Sequence, residues 1–210
     1  MIQLVDQALE RYLRSAVPLP ATVDVSFHAP EKSWAGSVTT PTVNLFLWDV
    51  ARNTTLSHGG VQQFDEGDGI RRRRPHTVVD LRYLVTAWAG EHRDEHQLLG
   101  AVLVALLAEP VLTAEHLPPA LVGPGPVTLT LAATDEDRRP QELWSALDGQ
   151  LKPGLQLTAT LPVDAGALLE VGPPTTALEV RSRDRASGAR SGRAVVEEQG
   201  RFATPPGGAP

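Results

Sequence analysis

Two histidines and a glutamate lie close together in the stretch WAGEHRDEHQLLG, residues 88–100. His92, Glu95 and His96 form the pattern H-x-x-E-H of one class of zinc peptidase. A metal site of this kind needs both imidazoles on one face of a continuous helix, together with a third protein ligand. The stretch therefore raises the question of where its helix begins.

Asp94 and Gln97 favour a different interpretation of the same stretch. A side-chain acceptor followed three residues later by glutamine is a capping arrangement, which predicts that the helix begins at Asp94 and leaves His92 outside it. His116, the next histidine, lies in a loop flanked by proline and is not an evident third ligand. We therefore expect no bound metal and no cofactor.

The densest charge in the chain is the run of four arginines Arg71, Arg72, Arg73 and Arg74. Such a run is typical either of a docking patch for an acidic partner or of a solvated loop before a strand. A second basic group lies near the C-terminus. The candidate partner-binding residues are Arg71, Arg72, Arg73, Arg74, Arg181, Arg183 and Arg185.

Other motifs that could carry chemistry are incomplete. The DEGDG stretch lacks the spacing of a calcium loop, and the prolines of GPGP remove the backbone amides that a phosphate loop requires. No serine lies in a G-x-S-x-G turn. We expect a protein that is not an enzyme.

Composition limits the class of protein. The 210 residues carry a formal net charge of −6 and no cysteine, which argues against a general nucleic-acid binder and excludes disulfides and thiolate metal sites. The first fifteen residues contain no uninterrupted apolar core and do not resemble a signal peptide. The longest apolar run, AVLVALLA, is too short to span a bilayer. A cytoplasmic protein is the expectation.

Hydrophobic periodicity predicts an α+β (α/β) fold with a single mixed β-sheet flanked by helices. The predicted helices cover the N-terminus and residues 94–109 and 140–149. The predicted strands cover residues 23–28, 42–50, 76–89, 127–133 and 155–163.

The chain divides into one domain and a tail. Residues 1–171 carry the predicted elements, and residues 51–75 are too long and polar for a turn, so we expect a surface excursion there. Residues 172–210 are rich in Gly, Pro, Ser and Arg, which predicts a flexible, low-complexity arm. Within that arm ALEVR, residues 177–181, and RAVVEE, residues 193–198, keep strand propensity.

An ordered series of blocks resembles a known family. The blocks are MIQLVDQALERYL, TVNLFLWDVARN, VVDLRYLVTAWAG, EHQLLGAVLVALLAEPVL, PQELWSAL and LQLTATLPVD. The series is similar to the cap, or tail-terminator, family of phage-tail-like contractile injection systems of the antifeeding-prophage and virulence-cassette type.

This resemblance implies a structural protein that forms a homo-oligomeric ring, a hexamer in the family. The ring would contact the sheath and inner-tube proteins of the last layer and end their polymerisation away from the baseplate. Two alternatives stay open: a baseplate or adaptor component of the same particle, and a zinc hydrolase that uses HRDEH.

Overall fold

A computed structural model describes most of the chain. The described residues are 1–17, 19–57, 62–65, 70–73, 75–123, 125–132, 144–147, 151–164, 182–183 and 190–191. They divide into a main unit, Met1–Gly60 with Arg74–Ala167, and a second unit, Val61–Arg73 with Leu168–Pro210.

The main unit has two long helices and several short turns of helix. The helix α1 spans Ile2–Ala16, the four-residue helix α2 spans Lys32–Ala35, and α3 spans His92–Ala108. A 3₁₀ turn covers Pro119–Leu121, and residues 144–146 are helical. The predicted helix at 140–149 lies partly outside the described residues. No helix in the described ranges is long and apolar enough to cross a membrane.

Six strands of the main unit form one sheet in the order β1-β2-β5-β8-β7-β6. Their bounds are β1 Asp24–Ser26, β2 Thr42–Arg52, β5 Thr77–Trp88, β6 Val111–Leu112, β7 Val127–Leu131 and β8 Gly154–Val163. The pair β1–β2 is parallel and every other pair is antiparallel. The predicted mixed sheet is confirmed.

One face of the sheet packs against α1 and α3. The register places Leu45 opposite Val85 and Leu81 opposite Ala159, and their buried side chains alternate with residues of the other face. The α1 side chains Val5, Ala8, Leu9, Tyr12 and Leu13 complete this core.

Hydrogen bonds from two tyrosines connect α1 to α3 and to the sheet. The Tyr12 hydroxyl donates to the Ala105 carbonyl of α3 at 2.6 Å, and the Tyr83 hydroxyl donates to Asp6 Oδ1 of α1 at 2.7 Å. Burial raises the pKa of Asp6, and the hydrogen bond from Tyr83 offsets part of that rise. The two contacts join α1 to both α3 and the sheet.

The opposite face of the sheet carries a polar strip as well as the buried Leu84. Asp49, Arg82 and Thr158 lie side by side on three adjacent strands, and Arg82 Nη1 lies 3.3 Å from Asp49 Oδ2. Two residues along each strand, on the same face, the Thr160 hydroxyl donates to Asp80 Oδ1 at 2.7 Å. Alternating apolar and polar residues in β5 and β8 produce these two unlike faces.

The second unit contains two short antiparallel ladders. The strand β3, Gln62–Asp65, pairs with β4, Ile70–Arg73, and β9, Ser182–Arg183, pairs with β10, Arg190–Ser191. The segments ALEVR and RAVVEE lie outside the described residues. The strand β2 extends through Arg52, so residues 51 and 52, predicted within the surface excursion, belong to the sheet. The excursion and the flexible tail stay predictions.

Candidate functional site

The helix α3 begins at His92, and our prediction that it begins at Asp94 is wrong. Glu91 has extended backbone and is the residue before the helix, and its carbonyl accepts hydrogen bonds from the Asp94 and Glu95 amides at 3.1 and 3.2 Å. Asp94 and Glu95 instead lie in the first turn, where negative charge interacts favourably with the helix dipole. His92 and His96 are therefore four residues apart in one helix, and the capping argument against a metal site fails.

A cation of the chain itself, Lys152, contacts Glu95, the glutamate of HRDEH. Lys152 Nζ donates a short hydrogen bond to Glu95 Oε1, and the Ala89 amide donates to the same oxygen at 3.3 Å. His92 Nδ1 lies 3.4 Å from Glu95 Oε2. The side chains of Lys152 and Glu95 are only 16% and 10% exposed, so this ion pair is largely removed from water.

The charge state of Glu95 follows from these partners. Burial by itself would raise the pKa of this carboxyl, but hydrogen bonds from Lys152, the Ala89 amide and His92, with the charge of Lys152, hold the pKa below its usual value. Glu95 is therefore ionised at neutral pH and neutralised by Lys152. Such a carboxylate is a poor candidate for a general base.

The ammonium group of Lys152 also lies against an aromatic cluster. Its Nζ is 4.1 Å from the centre of the Trp88 ring, a cation–π contact. Trp34 meets Trp88 edge to face at 5.3 Å, and His28 lies 6.1 Å from Trp34 on its other side. The contacts tie together the start of α3, the end of β5, the short helix α2 and the segment before β8. We call Glu95, Lys152 and Trp88 the α3 anchor.

A pocket of about 440 Å³ lies beside the α3 anchor. Its lining includes Trp88, His92, Glu95, His96, Leu151 and Lys152. His116 lies elsewhere, buried with its ring 5.4 Å from that of Tyr12. Among the described residues, no three His, Asp or Glu side chains are grouped so that they could hold a metal ion. The expectation of a metal-free protein stays a prediction, which elemental analysis of the purified protein tests.

The outward face of α3 carries exposed apolar side chains. Val104 is 68% exposed and Leu107 66%, and Val111, just after the helix, is 40% exposed. The inward residues Val102, Ala105 and Leu106 pack in the core. Because the helix is apolar on both faces from Leu98 onward, sequence periodicity did not separate its buried side from its exposed one. We call Val104, Leu107 and Val111 the α3 stripe.

The candidate partner-binding arginines lie in or next to the second unit. Arg71, Arg72 and Arg73 belong to β4, which places Arg71 opposite Phe64 in the ladder with β3. Arg183 belongs to β9 and is opposite Arg190. Arg74, Arg181 and Arg185 lie outside the described residues. The docking role of these arginines stays a prediction.

Comparisons with known proteins cover most of the chain. Residues 4–177 match the family model described as the Pvc16 N-terminal domain. No curated protein matches the chain.

Two solved structures share the fold. One is the sheath/tube terminator, in the extended state, of an extracellular contractile injection system, PVC; it has a TM-score of 0.63 and 22% identity over 89% of this chain. The other is the tube-terminating cap of the anti-feeding prophage, with a TM-score of 0.59 and 19% identity over 85% of this chain. The chain spans 65% and 60% of those two proteins.

The family match covers most of the 210 residues, and the two similar structures are a sheath/tube terminator and a tube-terminating cap. The similarity that the ordered blocks of the sequence indicated is thus confirmed by two independent kinds of comparison. The chain belongs to the Pvc16 N-terminal domain family.

Proposed function

We propose that this protein is the cap of a contractile injection system, a structural ring that ends tube and sheath polymerisation at the end distal to the baseplate. The observation that carries the proposal is the family match over residues 4–177. The likeness of the main unit to two terminators, a sheath/tube terminator and a tube-terminating cap, supports it.

A cap must bind the last layer of a polymer on one side and offer no equivalent surface on the other. The main unit has two unlike faces that fit this requirement. One sheet face is covered by α1 and α3, whose outer surface carries the apolar α3 stripe, and the opposite sheet face carries a polar strip that includes Asp49 and Arg82. Surfaces of such different chemistry favour different partners.

The proposed assembly is a homohexamer with closed rotational symmetry. Each subunit in such a ring contacts its two neighbours through two different surfaces, so the contact saturates when the ring closes. The α3 stripe supports this proposal, because clustered exposed apolar side chains mark protein–protein contacts more often than free surface. The proposed partners are the sheath and inner-tube proteins of the terminal layer, met in the cytoplasm as the particle is assembled.

The chemistry around HRDEH supports a structural role over a hydrolytic one. In the described part of the chain, the glutamate of the motif is neutralised by Lys152, and its two histidines lack a third ligand. The contacts of the motif join elements of the fold, which is what a rigid ring subunit requires. We therefore propose that the protein is not an enzyme.

Deletion of the gene from a producing strain tests the function. We expect particles of irregular length, or tubes without a defined end, that retain an intact baseplate. Supplying the full-length chain from a plasmid should restore uniform length, and electron microscopy measures the length distribution. Uniform, capped particles in the deletion strain would refute the proposal. Loss of baseplates with normal distal ends would favour an adaptor.

A further inference from the structure

Among the described residues, no strand pairs with the outer edge of β1, the first strand of the sheet. The Asp24 amide donates to the Pro41 carbonyl at 2.8 Å, so the backbone of Asp24 points toward the neighbouring strand β2. Successive residues of a strand direct their backbone groups to opposite sides, and Val25 therefore directs its N–H and C=O away from β2. These two groups face the outer edge.

A buried asparagine extends this edge beyond β1. The His28 amide donates to Asn44 Oδ1 at 3.1 Å, and Asn44 Nδ2 donates to the His28 carbonyl at 2.9 Å. Asn44 is 0% exposed and takes the place of a ladder partner for His28. Since His28 faces β2, the intervening Phe27 faces outward, like Val25. The open edge thus runs over five residues, from Asp24 to His28.

A preformed groove of about 620 Å³ lies along this edge. Its far wall is the segment from Trp34 to Thr40. The Ser37 hydroxyl donates to the Trp34 carbonyl at 2.7 Å, and the Thr42 hydroxyl donates to the Thr40 carbonyl at 2.9 Å. These local hydrogen bonds fix the wall, so little further ordering is needed when a peptide binds.

The strand β1 is short, but its side chains include neither of the residues that most often block strand addition. Natural edge strands are commonly blocked by proline, by lysine or by a bulge, and β1 has the sequence Asp-Val-Ser. Its backbone groups are instead presented next to an open groove. Such an edge is suited to binding an extended peptide through main-chain hydrogen bonds.

We propose that this edge binds residues 177–181, ALEVR, of a second copy of the chain, as a seventh strand antiparallel to β1. This inference rests on the proposed ring, since it names the contact between neighbouring copies. ALEVR has as many residues as the edge, and its Leu178 and Val180 flank a polar position as Val25 and Phe27 do.

The register follows from charge and from backbone direction. Antiparallel pairing with Arg181 opposite the exposed carboxylate of Asp24 places Val180 opposite Val25 and Leu178 opposite Phe27. Val25 and Phe27 are the two residues with outward backbone groups, and their side chains pack against the core of the main unit. The added strand would therefore extend the apolar face of the sheet, which cross-strand apolar pairs stabilise.

The ring, rather than the reach of the chain, favours a second copy. The strand β8 ends at Val163, opposite Thr77, and Ser26 of β1 is level with Asn44 and Thr86. Ala177 in the proposed register lies opposite His28, about seven residues and four strand spacings from Val163, roughly 30 Å. The chain from Asp164 to Ala177 reaches at most about 45 Å when fully extended, so it can reach its own edge as well as that of a neighbour. A strand given to the next copy provides each subunit with one donor and one acceptor surface, the two different contacts that a closed ring requires.

Disulfide trapping in the full-length chain tests the contact, because the sequence contains no cysteine. Ser26→Cys and Glu179→Cys are made as two separate proteins, which keeps both the apolar pairs and the charge pair. After the two are mixed and mildly oxidised, a disulfide-linked dimer should form. The rate should exceed that of control pairs by about tenfold or more, because docking raises the effective concentration of the thiols.

The control pairs place the two cysteines at positions that the proposed register does not bring together. Thr55→Cys lies in an exposed turn after β2 and is mixed with Glu179→Cys, and Arg185→Cys is mixed with Ser26→Cys. A second pair of variants tests the backbone: Val25→Pro removes the outward donor, and Val25→Thr keeps it. We expect the proline variant alone to lose the oligomer, with the fold of the subunit verified by circular dichroism.

Each outcome decides between the two proposals. Rapid 26–179 crosslinking between copies, lost with Val25→Pro, supports the strand contact. A ring that forms with no excess of this crosslink overturns the strand contact and leaves the ring intact. A chain that stays monomeric and does not crosslink overturns both. A protein carrying both cysteines that crosslinks only within one chain also overturns the contact between copies.

Discussion

At the scale of single residues, the HRDEH stretch has the pattern of a zinc-peptidase motif, but its glutamate makes a structural contact. The pattern places two histidines and a glutamate on one helix, and the structure gives the glutamate a lysine from 57 residues away as its counterion. That pairing joins α3 to the segment before β8. The sequence places the motif, but a contact over such a separation depends on the completed sheet and leaves no local pattern.

Replacement of Lys152 by methionine should destabilise the fold. Glu95 would remain in a largely buried position with its counterion removed, which costs about 3 kcal/mol of unfolding free energy. Urea denaturation followed by circular dichroism measures the change. The matched control is Lys32→Met, which removes an exposed lysine lining the same pocket and should change stability by less than about 0.5 kcal/mol. Equal stability of the two variants would contradict the role of the α3 anchor.

The pH dependence of stability should report the state of Glu95. Its pKa is lowered in the folded protein from an ordinary value of 4.5, so its contribution is fully present above pH 4.5 and is lost as the pH falls through the folded value. Glu95→Gln should therefore be less stable than the wild type at pH 7. The difference should shrink below pH 4.5, as measured by urea denaturation across the pH range.

Asp6→Asn provides the control of opposite sign. Burial raises the pKa of Asp6 above its ordinary value of 3.8, so its stabilising contribution is present below pH 3.8 and is lost as the pH rises through the folded value. Asparagine keeps an oxygen that accepts the Tyr83 hydroxyl and removes the buried charge. The variant should be at least as stable as the wild type at pH 7, and any advantage should vanish in acid. Parallel pH profiles for the two variants would contradict both assignments.

At the scale of elements, the sequence predicts the long strands well. It misplaces the start of α3 and misses the shortest elements. The strands β2, β5 and β8 lie within one or two residues of their predicted bounds, because their apolar patterns are long. The helix α2 and the strand β6 are too short to produce a periodic pattern and were missed. Strand order was not predicted, since β8 pairs between β5 and β7 through contacts distant in sequence.

The α3 stripe should contribute to oligomer formation and little to folding. Val104→Lys combined with Leu107→Lys changes two side chains that are mostly exposed in the subunit, so the melting temperature should stay within a few degrees of the wild type. If the stripe is a subunit contact, burying two charges there should abolish the oligomer, as measured by mass photometry. Leu56→Lys, at another exposed apolar position, is the control and should assemble normally. An oligomer unchanged by the double substitution would exclude the stripe from the interface.

At the scale of the whole molecule, the uneven distribution of charge indicates a surface that could take part in assembly. The chain has a formal net charge of −6, yet four consecutive arginines occupy residues 71–74 next to an acidic stretch. Clustered charge of the minority sign is typical of a surface that meets an oppositely charged partner. Arg71, Arg72 and Arg73 belong to β4 of the second unit.

Replacement of Arg71, Arg72, Arg73 and Arg74 by serine should leave the melting temperature nearly unchanged and weaken assembly. Wild-type assembly should weaken as salt rises, and the variant should show a smaller salt dependence because the screened contacts are gone. Light scattering over a salt series measures both. Lys32→Ser is the control for the loss of a single exposed positive charge. A variant that assembles with the wild-type salt dependence would contradict a docking role.

The place of β8 in the sheet also determines when the sheet can form during biosynthesis. This strand is the last of the sheet in the chain, yet it lies between β5 and β7 and joins the two halves. A growing chain cannot close its sheet until residue 163 has left the ribosome, and pairing over such long separations is slow. A ribosome-bound fragment ending before Gly154 therefore has no continuous sheet. Under the proposed function, newly made subunits would become competent to cap a tube only on completion, which would protect an elongating tube from premature termination by unfinished copies.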